Sequence, residues 1–164
     1  MLVIMVGIVG VGFAAANAVA DIPNQPVTVS DGVSLVRPPD WEFQGRAEGQ
    51  DTILLSRGNG SLAVTVTQGS DHVAALDSLR EEWTATGTVS AGDILEAAVA
   101  HGTNPAARVA YSGTFPELAS AVEGEVTGVA GTAVVVVLDG WADVGEFASV
   151  ADDIHAIIAG TTIP

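Results

Sequence analysis

Met1 to Ala20 contain no charged side chain, and every Asp, Glu, Arg and His of the chain lies after them. Leu2 to Ala20 would run roughly 28 Å as a helix at about 1.5 Å per residue, close to a hydrocarbon core of about 30 Å. Its Leu, Ile, Val and Phe residues each favour insertion by roughly 0.3–0.6 kcal/mol, which outweighs Asn17 and three glycines. A soluble core element this long with no polar face is rare. The segment therefore predicts one N-terminal transmembrane helix, residues 1–20, with the remainder of the chain outside the cytoplasm at the cell membrane.

Ala18-Val19-Ala20 before Asp21 also fits the small-residue cleavage site of a secretory signal. A signal normally opens with basic residues, whereas the first basic side chain here is Arg37, and its apolar region usually spans about 7–15 residues. The segment reads as an uncleaved anchor, with release after Ala20 as the alternative. Gly10-Val-Gly12-Phe-Ala-Ala15 matches the glycine pattern of a dinucleotide-binding turn, but that turn needs a crossover helix, and Pro23 and Pro26 interrupt the chain too soon. Gly10/Ala14 and Gly12/Ala16 instead give the small-residue spacing of packed membrane helices.

The chain carries 20 acidic residues against five arginines and no lysine, a formal charge of −15. Phosphate backbones and anionic lipid surfaces are bound through excess Lys and Arg, so nucleic acid and electrostatic lipid docking are excluded as partners. The membrane is reached through residues 2–20 alone. The absence of cysteine removes disulfides, thiol chemistry and a lipid-anchoring Cys. An Ala-, Gly- and Val-rich chain without lysine has the composition of a GC-rich bacterial coding sequence.

Residues 21–26 carry two prolines and read as an extended linker. From 27 to 160 the pattern is that of one α+β domain. Val27-Thr-Val29 and Val33-Ser-Leu35-Val flank Asp31-Gly32, a hairpin signal, and Pro38-Pro39-Asp40-Trp41 stops the second strand. Thr52–Ser56 and Leu62–Thr67 flank a second turn, which also accounts for the Asn59-Gly-Ser61 glycosylation sequon. Ser70 or Asp71 caps a helix whose Leu76, Leu79 and Trp83 recur at helical spacing, with Gly87 as its stop. Strands are expected over Ile94–Ala100, Ala107–Tyr111 and Ala121–Val129. Ala133–Leu138 reads as a central strand buried on both faces, closed by Asp139-Gly140. Phe147, Val150, Ile154, Ile157 and Ile158 mark a final helix ending at Gly160. The expected architecture is an antiparallel sheet covered by helices.

The hairpin leading into Val33 to Trp41, V-x-L-V-x-P-P-D-W in pattern, resembles the PsbP-like fold. So do the second hairpin with its helix, Ala106-Ala-Arg-Val-Ala-Tyr111, and the closing strand–helix pair. The resemblance covers roughly residues 27–160, lies in turn and core positions, and implies an α-β-α sandwich acting as a non-catalytic binding module. Exported actinobacterial proteins of unknown role that share this fold are often lipoproteins, and this chain departs from them in having no anchoring Cys.

Residues with chemistry are sparse. His72, His101 and His155 fall in separate segments, and Asp152 with His155 gives only two of the three or four ligands a metal site needs. Glu81-Glu82 and Asp152-Asp153 are neighbours that point about 100° apart on a helix. No nucleophile elbow occurs. Neither a catalytic set, a metal nor a cofactor is expected. Trp41 and Trp141 follow turn signals beside acids, which makes them the candidate partner-binding residues, although the reading preferred for each indole is that it plugs an end of the sheet's core. The expected function is a membrane-anchored, extracytoplasmic binding domain for an envelope or membrane protein. The alternative is a secreted carrier of a small ligand or lipid.

Overall fold

The computed structural model describes residues 26–46, 51–85, 87–97 and 104–164. The expected membrane segment and most of the linker lie outside the described residues. Among those described, no helix is long and apolar enough to cross a membrane.

The chain opens with a hairpin of β1 (Pro26–Thr28) and β2 (Ser34–Val36). Val33 N–H donates to Ser30 O at 2.8 Å, closing a turn around Asp31 (φ 48°) and Gly32 (φ 79°). Positive φ at both central positions is what Asp-Gly supplies and what the twist of a hairpin demands. β3 (Glu42–Arg46), β4 (Thr52–Arg57) and β5 (Gly60–Gln68) precede α1 (His72–Ala85). Then come β6 (Val89–Ala91), β7 (Leu95–Ala97), β8 (Ala106–Gly113), β9 (Val122–Ala130) and β10 (Val134–Asp143). A 3-10 turn (Phe147–Ser149) leads into α2 (Ala151–Ala159). The main sheet runs β3-β4-β5-β10-β9-β8-β6, with β7 also paired to β8, and all its pairings are antiparallel.

Asp71 caps α1, its Oδ1 accepting the Ala74 N–H at 2.9 Å. The helix buries Leu76, Leu79 and Trp83 against Val109, Val126, Val135 and Val137 on one face of the sheet. On the other face α2 sets Ile154, Ile157 and Ile158 over Leu62, Val64, Val136 and Leu138, and the first hairpin adds Val33 and Leu35. Helices on both faces leave β10 no wet side, which is why its sequence is apolar at successive positions. The expected sandwich and central strand are therefore present.

Three expectations need correction. Asp139-Gly140 does not close β10, because the strand continues to Asp143. Gly140 is there for close packing: a Cβ would lie 2.8 Å from Ile154 Cγ2. Edge strands β3 and β6 are additional to those expected, while the strand expected over Ile94–Ala100 is present as Leu95–Ala97, its residues 98–100 lying outside the described residues. The last helix is broken in two, with Phe147 on the 3-10 turn rather than on α2.

Candidate binding cleft

Side chains on β8 alternate, Val109 and Tyr111 facing α1 while Arg108, Ala110 and Ser112 face the opposite side and stay exposed. In register beside them on β9 stand Thr127, Glu125 and Glu123. α2 packs over the β10 side of this face and leaves the β8–β9 side open as a cleft of about 740 Å³. Ala110, Ser112, Glu123 and Glu125 line it from the sheet, Ser90–Gly92 form one wall, and Phe147, Ala148 and Ala151 form the other. The small side chains create the room.

The carboxylates of the cleft are held in place. Glu125 Oε1 lies 3.0 Å from His155 Nε2, tying α2 to β9, and Glu125 Oε2 accepts from Arg108 Nη1 at 3.1 Å. Glu123 Oε1 accepts the Gly145 and Phe147 N–H groups at 3.0 and 3.2 Å, fixing the turn that carries the far wall. The five arginines are all engaged within the domain. Arg37 donates to Trp41 O, Arg46 to Thr28 O and Val29 O, Arg57 pairs with Asp153, Arg80 with Asp77, and Arg108 with Glu125. The acids that line the cleft are Glu123 and Glu125.

Behind the sheet from the cleft, Tyr111 lies across Gly124 and its hydroxyl donates to Asp139 Oδ1 at 2.7 Å. Asp139 is 2 % exposed, and its Oδ2 has no hydrogen-bond partner among the described residues. Burial pushes the Asp139 carboxyl up to about 7, opposed by the hydrogen bond from Tyr111. The Tyr111 phenol is also raised, first by burial and then by the Asp139 charge and bond. Trp83 and Phe115 enclose the tyrosine ring, with centroids 4.6 and 5.8 Å from it.

Trp41 is 0 % exposed and sits in the core beneath α2. Trp141 is 9 % exposed, lies within β10 rather than on a loop, and belongs to the core beneath α1. The two indoles stand on opposite faces of the sheet and form no shared edge. His72 opens α1 and His155 lies on α2 across the sheet, while His101 is outside the described residues. Among the described residues no group of three or more His, Asp or Glu could hold a metal ion. The cleft residues were not singled out by the sequence, although Arg108-Val-Ala-Tyr-Ser112 and Glu123-Gly-Glu125 carry the alternation that places them on one face.

No protein-family model matches the sequence, and no curated protein matches it either. Solved structures do, and they define the class: the chain has a PsbP-like fold. The cyanobacterial PsbP protein CyanoP from Synechocystis superposes with a TM-score of 0.61 at 10% identity, covering 92% of this chain and 98% of its own. LpqN of Mycobacterium tuberculosis, described as involved in cell envelope biogenesis, gives 0.56 at 19% identity over 88% of each chain. The Ran-binding protein Mog1p of Saccharomyces cerevisiae gives 0.51 at 20% identity over 87% of this chain and 96% of its own.

Proposed function

We propose that this chain is a membrane-anchored, non-catalytic binding domain held outside the cytoplasm, where it engages an envelope or membrane protein through the cleft beside α2. The observation that carries this reading is the cleft itself: an open, acidic concavity on a PsbP-like fold whose glutamates are fixed by structural bonds. The fold is shared with a Ran-binding protein and with a protein of cell envelope biogenesis, which supports a binding role at the envelope. His155 is bonded to Glu125 rather than to a hydroxyl nucleophile, in keeping with a non-enzymatic domain. The uncharged run 2–20 supports the anchor. A lining of small and charged side chains suits a protein surface better than the acyl chain of a lipid carrier.

The test is cell fractionation with determination of the mature N-terminus, followed by affinity purification from the membrane fraction. Retained Met1 in membranes with a stoichiometric protein partner is expected. A soluble protein beginning at Asp21 would contradict the anchor, and hydrolase activity lost in His155→Ala would contradict the non-catalytic reading.

A further inference from the structure

We infer that the cleft receives an extended, lysine- or arginine-bearing segment of the protein partner, its cationic side chain seated between the sheet glutamates and Phe147. The inference rests on the binding role proposed above and specifies its site and chemistry. Room comes first. Ser90, Gly92, Ala110, Ser112, Ala148 and Ala151 leave about 740 Å³ open, within the range of about 300–1,000 Å³ that ligand sites occupy.

Charge selects the occupant. The chain has no lysine, and among the described residues each arginine is paired or bonded within the domain, including Arg108 on this face. Arg108 balances one of the two lining carboxylates, Glu125. Glu123 commits only Oε1 to the Gly145 and Phe147 amides, which leaves its charge unbalanced at the cleft. Half-buried Phe147 supplies an aromatic flank beside that charge, a pairing that suits an ammonium or guanidinium on an aliphatic stem. The cleft is open to solvent between Ser90–Gly92 and Phe147–Ala151, so a segment of extended chain can lie across it.

The test uses the full chain in detergent micelles and two synthetic ten-residue peptides, one of alternating Arg, Lys, Ser and Gly, the other with Glu at every basic position. Spermine serves as a small cation. Fluorescence anisotropy should show binding of the basic peptide only, weakened at least tenfold by Ser112→Arg and at least fivefold between 0.1 and 1 M salt, as the Debye length falls from about 10 to about 3 Å. Backbone amide shifts of the unmutated protein should be confined to β6 and Gly92, β8, β9, the 3-10 turn and the start of α2, a readout that does not depend on a variant folding. Absence of peptide binding, binding unchanged by Ser112→Arg, or shifts on the α1 face would each overturn the inference. Equal affinity for spermine would overturn the assignment to a peptide segment. A membrane partner whose capture ignores Ser112→Arg would sink this inference while leaving the binding role intact.

Discussion

Tyr111 donates a 2.7 Å hydrogen bond to Asp139 from two strands away, crossing β9 where Gly124 has no side chain to block the ring. The contact places an acid at the centre of the sheet and under the aromatic cluster that seats α1. Burial is the larger influence on Asp139, and it sets how the fold responds to pH.

With its carboxyl raised from 3.8 to about 7, folded Asp139 keeps a proton that the unfolded chain has lost between those values. Unfolding then releases a proton, so Asp139 makes stability fall as pH rises through that window, and the loss is complete above about pH 7. At about 1.4 kcal/mol per unit, this contribution is roughly 3 kcal/mol less favourable at pH 8 than at pH 5. Asp139→Asn should lack that contribution. Chemical unfolding of both proteins at the two pH values checks it, and parallel pH profiles would refute the assignment.

Gly124→Ala should destabilise the domain by about 1–3 kcal/mol. The added Cβ would fall 2.4 Å from Gly140 O and 2.8 Å from the Tyr111 hydroxyl. Combining it with Tyr111→Phe should recover little of the loss, because the phenol oxygen is one of three crowding atoms, and the ring Cζ at 2.8 Å and Gly140 O at 2.4 Å both remain. Thermal melting of the single and double variants measures the coupling.

Trp41→Ala should cost about 3–5 kcal/mol and Ile154→Ala about 2–5 kcal/mol, since both side chains are fully buried beneath or on α2. Partner affinity of the protein that remains folded should not change with Trp41. Near-wild-type unfolding midpoints for both variants would contradict the packing described.

The layers of the fold were legible because their signals are local. Asp-Gly with positive φ marked the first hairpin, Asp71 marked the start of α1, and the run of valines marked β10. Tertiary context overrode the same turn signal at Asp139-Gly140, where the glycine admits Ile154 and the acid meets Tyr111, two contacts far away in sequence. Strands β3 and β6 escaped notice because short edge strands carry little apolar alternation. The cleft was illegible for a different reason. It is built from Ser90, Ser112, Glu123 and Phe147, residues ordinary in type that only the sheet register and the placement of α2 bring together.

Ile8→Arg should cost roughly 2.5–3.5 kcal/mol of membrane insertion if residues 2–20 form the anchor. The variant should shift to the soluble fraction in a carbonate-washed membrane preparation. Continued sedimentation with membranes would show that the tether lies elsewhere.

The most direct test of a cleft-borne binding role is site-specific photocrosslinking of the full chain in intact cells. A benzophenone amino acid is placed at Ser112 in the cleft or at exposed Glu81 on α1. The account predicts one discrete protein adduct from Ser112, in the membrane fraction, and none from Glu81. Adducts from Glu81 alone, or none from Ser112, would contradict it.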